Sequence, residues 1–153
     1  MKIILSLILF FIYSDSEGQL LLKKKKITKT QWATQYKDSL FFKSDTIRFV
    51  KVQNIDSLNL VDYFDEKDYA VLAFYKCKKL KILIINVDFW VVNHLYGKFK
   101  WAFNEVSQTL ELFYKKTQFA TFSPVSERSV EIKSQYKYEK PYRTTEISFL
   151  RIK

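Results

Sequence analysis

The chain has 153 residues and a formal charge of +10, and 48% of its residues are hydrophobic and 18% aromatic. That composition is too apolar for a disordered chain, and two glycines and two prolines in all exclude long flexible linkers. Cys77 is the single cysteine, which excludes an intrachain disulfide in any redox compartment.

Lys2 is followed by an almost unbroken apolar run from Ile3 to Tyr13, then by Ser14-Asp15-Ser16-Glu17-Gly18. A positive start, a short apolar middle and small residues at the cleavage positions describe a secretory signal peptide. The expected organisation is a signal peptide over 1–18 with the cut after Gly18, a basic segment over 19–26, and one domain over 27–153. The apolar run has about half the ~20 residues that a bilayer-spanning helix needs, so a membrane anchor is the weaker reading. Asp88, Asn93 and His94 interrupt the best later candidate, Leu80 to Leu95. A secreted or periplasmic product is expected, of roughly 135 residues, enough for one core.

Period-2 alternation then dominates. Thr28, Thr30, Trp32, Thr34 and Tyr36 share one side of a first strand. Ile47–Val52 and Ile82–Val92 read apolar on both sides, as strands covered twice do. Asp56–Phe64, with Leu58, Val61 and Phe64 three apart, reads as the one helical stretch. Phe99, Trp101 and Phe103 alternate with Lys98, Lys100 and Ala102, the clearest apolar-in, polar-out segment. Leu110, Leu112 and Tyr114 follow, then Val130, Ile132, Tyr136 and Tyr138, and a last strand over Thr144–Ile152.

Turn chemistry separates these runs at Lys43-Ser44-Asp45, Asn104-Glu105-Val106-Ser107, Lys115-Lys116-Thr117 and Glu139-Lys140-Pro141. Turns about ten residues apart leave no room for crossover helices. The expected fold is therefore all-β: an antiparallel meander of roughly eight or nine strands, closed as a barrel, with an open sandwich as the alternative. With glycine scarce, hairpin positions of positive φ must use Asn or Asp, or give way to longer loops.

On these residues the chain resembles small secreted lipocalin-like domains. Trp32 sits in the first strand, the pair Gly97–Phe103 and Thr109–Leu112 looks like paired central strands, and Thr144–Ile152 looks like a closing strand. The resemblance implies that Trp32 packs beneath Arg151 (or Arg143) to close the barrel floor. Where the family has glycine two residues before that tryptophan, this chain has Thr30.

Catalytic chemistry is thinly represented. His94 is the lone histidine, read as a structural residue rather than a general base, and Cys77 alone cannot complete a zinc site with it. Cys77 itself is expected as a small half-buried strand residue. Asp62, Asp65, Glu66 and Asp68 lack the spacing and central glycine of a calcium loop. No metal, no cofactor and no enzymatic role is expected. Aromatics are in surplus, and Trp90, Phe99, Trp101 and Phe103 are the candidate lining for a small apolar ligand, against the simpler reading of a filled core. The lysines of Lys23–Lys26 and of Lys76, Lys78, Lys79 and Lys81 guard strand edges or form an anion site. Export argues against nucleic acid and favours an anionic glycan or a membrane surface. The expected function is non-enzymatic: holding a small apolar ligand or serving as an interaction module, with cationic surface binding as the alternative.

Overall fold

The computed structural model describes residues 20–28, 30–35, 44–52, 63–64, 68–86, 91–94, 97–133 and 140–153. Nine strands among them form one antiparallel sheet. They are β1 Gln31–Gln35, β2 Thr46–Lys51, β3 Asp68–Phe74, β4 Leu80–Asn86, β5 Val91–His94, β6 Phe99–Asn104, β7 Thr109–Tyr114, β8 Thr117–Ile132 and β9 Tyr142–Arg151. Their spatial order is β5-β4-β3-β1-β2-β9-β8-β7-β6. The terminal strand β6 returns to the β3–β4 hairpin, where Lys79 bridges Lys100 and the Trp101 N–H donates to the Lys78 carbonyl at 3.0 Å. The sheet is a nearly closed barrel.

The expected meander is present in two runs, β3-β4-β5 and β6-β7-β8-β9. The first two strands refine it. β1 lies between β2 and β3, and β2 rather than β1 pairs with the last strand, from Thr46↔Leu150 to Val50↔Glu146. The chain leaving β2 must therefore pass β1 before it begins β3.

Alternation along the strands sends one set of side chains to the barrel interior: Trp32, Ile47, Phe49, Leu72, Phe74, Ile82, Phe99, Trp101, Phe103, Leu110, Leu112, Phe122, Ile147 and Phe149. Phe49 is the hub, its ring centroid 4.9 Å from Phe149, 5.9 Å from Phe74 and 6.5 Å from Trp32. Phe74 in turn meets Trp101 edge-on at 5.2 Å. Tilted and edge-on ring pairs of this kind add about 0.5–1.5 kcal/mol each beyond burial.

A second cluster covers the outside of the same wall. Ala33, Val50, Val52, Tyr69, Val71, Ile85 and Ile132 pack with Phe64 and Tyr63, which come from the β2–β3 connection. This explains why Ile47–Val52 is apolar on both sides: Ile47 and Phe49 point inward, Val50 and Val52 outward beneath a covering segment. Of the helix expected over Asp56–Phe64, Tyr63 and Phe64 are helical, and the remainder lies outside the described residues, as do Tyr136 and Tyr138.

β8 serves both clusters. Ala120 and Phe122 face the interior, whereas Val130 and Ile132 belong to the outer cluster, although all four positions are even-numbered. The register shift between Pro124 and Ser126 supplies the reason, since one extra residue turns every later side chain to the other side.

Three hairpin positions lie in the left-handed region: Lys78 (φ 64°), Gln108 (φ 52°) and Lys115 (φ 57°). The expectation of Asn or Asp there is corrected. Turn geometry imposes the conformation, and these side chains bear its cost of roughly 1 kcal/mol or more. Gly97 is needed for close approach instead, because a Cβ there would come within 2.8 Å of the Tyr114 ring.

The basic segment caps one end of the barrel. Lys24–Ile27 forms a short helix, α1, and Leu22 and Ile27 enter the interior cluster. The Trp32 indole donates to the Ile27 carbonyl at 3.3 Å. The Gln108 amide brackets Leu22, accepting its N–H at 2.7 Å and donating to its carbonyl at 3.2 Å. The Lys24 N–H reaches Glu105 Oε1 at 2.6 Å, and Lys26 pairs with Glu127.

Candidate functional site

Barrel closure gathers lysines from three places in the sequence into a cationic rim along the β4–β6 seam, running from the β3–β4 turn beside the N-terminal cap to the β7–β8 turn at the opposite end of the β6–β7 hairpin. The β3–β4 turn carries Lys76, Lys78 and Lys79, followed by Lys81 at the start of β4; Lys98 directly precedes β6 and Lys100 lies within it; the β7–β8 turn brings Lys115 and Lys116. Backbone pairing fixes their adjacency. Lys79 bridges Lys100, and the Lys115 N–H donates to the Lys98 carbonyl at 2.8 Å. All eight lysines are exposed, and none has an acidic partner among the described residues. The ammonium groups of Lys81 and Lys115 lie 5.7 and 5.5 Å from the centroids of Tyr75 and Tyr114. Those two tyrosines are themselves exposed. Two exposed ring–cation pairs thus lie among the lysines, an arrangement able to hold anionic groups and to stack on planar or sugar surfaces.

Two grooves open beside this rim. One, of about 500 Å³, is lined by Thr30, Gln31, Ala73, Phe74, Tyr75, Lys76 and Cys77. The other, of about 530 Å³, is lined by Lys24, Lys25, Thr28 and Lys76. Lys76 borders both. Cys77 is exposed in the turn, which corrects the expectation of a half-buried strand residue: the hairpin reverses at Lys76-Cys77 and leaves the thiol on its tip.

The residues singled out for ligand binding fall elsewhere. Phe99, Trp101 and Phe103 are buried together in the packed interior cluster, with the Trp101 indole donating to the Tyr75 carbonyl at 2.9 Å. Trp90 lies outside the described residues. Trp32 shares the interior cluster, donating to Ile27. The Arg151 guanidinium lies 6.0 Å from the centroid of Phe122 and donates to the Phe119 carbonyl at 3.1 Å. His94 is on β5. Among the described residues no group of three or more His, Cys, Asp or Glu is placed to hold a metal ion, and no helix is long and apolar enough to cross a membrane.

One buried polar network was not singled out in the sequence. Glu146, 1% exposed, accepts the Tyr63 hydroxyl at 2.5 Å and Arg128 Nε at 2.7 Å. Burial, then the hydrogen bond to the Glu146 carboxylate, pushes the Tyr63 phenol up to about 12. The β2–β3 connection is latched here to β8 and β9. Nothing in the local sequence marks Glu146, because its burial depends on a segment from elsewhere in the chain.

Comparison of the chain with protein-family models, with curated proteins and with solved structures finds no match.

Proposed function

We propose that the protein is an exported, non-enzymatic, lipocalin-like barrel that binds anionic glycans or other polyanionic envelope components through its lysine-rich rim. The observation that carries this reading is the alignment along this one seam of eight exposed lysines from separate hairpins, none with an acidic partner among the described residues. Two of them, Lys78 and Lys115, hold left-handed backbone positions that glycine would occupy without strain. A purely structural turn gains nothing from a lysine there, whereas a binding rim gains a charge. Holding a small apolar molecule among Phe99, Trp101 and Phe103 would require a packed cluster to open; the rim needs no rearrangement. The barrel closure and the first-strand tryptophan under an N-terminal cap support the likeness to lipocalins, and the exchanged order of β1 and β2 departs from a simple meander.

Chromatography on a sulfated-polysaccharide matrix tests the reading. Retention is expected at low salt and is expected to weaken steeply through physiological ionic strength, where the screening length is about 8 Å. Charge reversal of Lys78, Lys79, Lys115 and Lys116 together should abolish it. Retention equal to that of the unaltered protein would sink the proposal.

A further inference from the structure

We infer that the groove between the N-terminal cap and the β3–β4 turn is a site for a single-chain anionic amphiphile, with the tail against the exposed Tyr75 ring and the head group at Lys24, Lys25 and Lys76. The inference stands apart from the polyanion reading of the rim, with which it shares only Lys76.

Two compartments of unlike chemistry that share Lys76 define the site. The first is walled by the exposed Tyr75, with Thr30, Gln31, Ala73, Phe74 and Cys77 at its border. The second offers three lysines and Thr28. The Thr28 hydroxyl is engaged with the Lys24 carbonyl at 2.9 Å, so the lysines are its charged lining. Each compartment is of the size that small-molecule sites have, roughly 300–1,000 Å³. An apolar groove alone would take neutral hydrocarbon, and a lysine pocket alone would take a free anion. Joined at Lys76, they match a molecule that carries both parts. Lys24 is half-buried, its ammonium 5.5 Å from the Trp101 centroid, so this cation is held in place by the cap. Lys25 and Lys76 are exposed, and their charges can close on a head group from the solvent side. The occupant lies outside the barrel interior, which the ring cluster fills at this end.

Cys77 supplies a native reporter, since it borders the apolar compartment and is the chain's single thiol. Octanoate, decanoate and dodecanoate, each below its micelle-forming concentration, are titrated by calorimetry against the purified protein. The rate of Cys77 alkylation by a bulky maleimide is followed in parallel. Affinity is expected to rise about 3- to 4-fold per added methylene, with Cys77 protected at saturation. Octyl glucoside, with the tail of an octyl chain and no charge, should bind at least tenfold more weakly than octyl sulfate. Inorganic phosphate alone should not protect Cys77. Lys25→Glu with Lys76→Glu should weaken the anionic series at least tenfold and leave octyl glucoside unchanged, and Tyr75→Ser should flatten the dependence on chain length. The fourfold rim reversal at Lys78, Lys79, Lys115 and Lys116 should leave tail-length dependence and Cys77 protection in place, which separates the two sites. Equal binding of charged and neutral amphiphiles, absence of chain-length dependence, or binding confined to anionic vesicles would each overturn the inference.

Discussion

The wall built from β1 to β4 is covered on both sides, whereas the wall of β6 and β7 is covered only from within. On the first wall, Trp32, Phe49 and Phe74 face the interior cluster while Ala33, Val50 and Val71 face the cluster under Tyr63 and Phe64. On the second, buried and exposed positions alternate along β6, from Phe99 through Lys100 to Trp101. Double coverage leaves the middle of the first wall little exposed surface, so its lysines and its groove lie at or beside the β3–β4 turn. Single coverage leaves the second free to carry lysines, since an exposed charge there sacrifices no packing.

Breaking each wall in turn should give unequal results. Phe49→Ala removes the hub of the ring cluster and is expected to cost about 3–5 kcal/mol, as large-to-small core substitutions do. Lys100→Ala, on the open side, should stay within about 0.5 kcal/mol. Urea unfolding of the two variants measures the contrast, and comparable losses would show that the walls are not different in kind.

The outer cover should give a smaller, pH-dependent effect. Tyr63→Phe removes one partner of buried Glu146 and is expected to cost about 1–2 kcal/mol near neutral pH. Tyr63 titrates at about 12 in the folded protein against an ordinary value of 10.0. Its contribution is therefore complete below pH 10 and is lost as pH rises towards 12. Unfolding curves at pH 8 and pH 11 should converge for the native protein and Tyr63→Phe at the higher pH. A constant gap between them would place the stabilisation elsewhere.

The smallest effect should be opposite in sign. Lys115→Gly relieves a left-handed lysine and is expected to stabilise by about 0.5–1 kcal/mol, measured by thermal unfolding, while lowering retention on an anionic matrix. A gain in stability with unchanged retention would confine that lysine to the turn.

How far the sequence revealed this structure follows from the same contrast. The alternation of Lys98–Phe103 was readable because one side of β6 meets water, so polarity reports orientation residue by residue. Ile47–Val52 announced double coverage but not its source, because Val50 is covered by Tyr63 and Phe64, whose position no local pattern encodes. The exchange of β1 and β2 was hidden for a related reason: period 2 says which way a side chain points, not which strand lies alongside. Gln108 read as one more polar residue at a turn, yet it is 3% exposed because its amide brackets Leu22. The rim lysines were visible as separate clusters at Lys76–Lys81 and in Lys115-Lys116. Only the pairing of Lys79 with Lys100 and of Lys98 with Lys115 joins them.

The pairing of β2 with β9 also governs when the molecule can assemble. Thr46 finds Leu150 only after every strand between them has become available, whereas the hairpins of β3-β4 and β6-β7 are local. Contacts so distant in sequence slow folding, because a long loop must be ordered before they reward it. A chain emerging from its first residue onward would hold two finished sheets and an unsealed seam until the last strand arrived. Removing Thr144–Arg151 should therefore leave hairpins without a cylinder, because closure waits for β9.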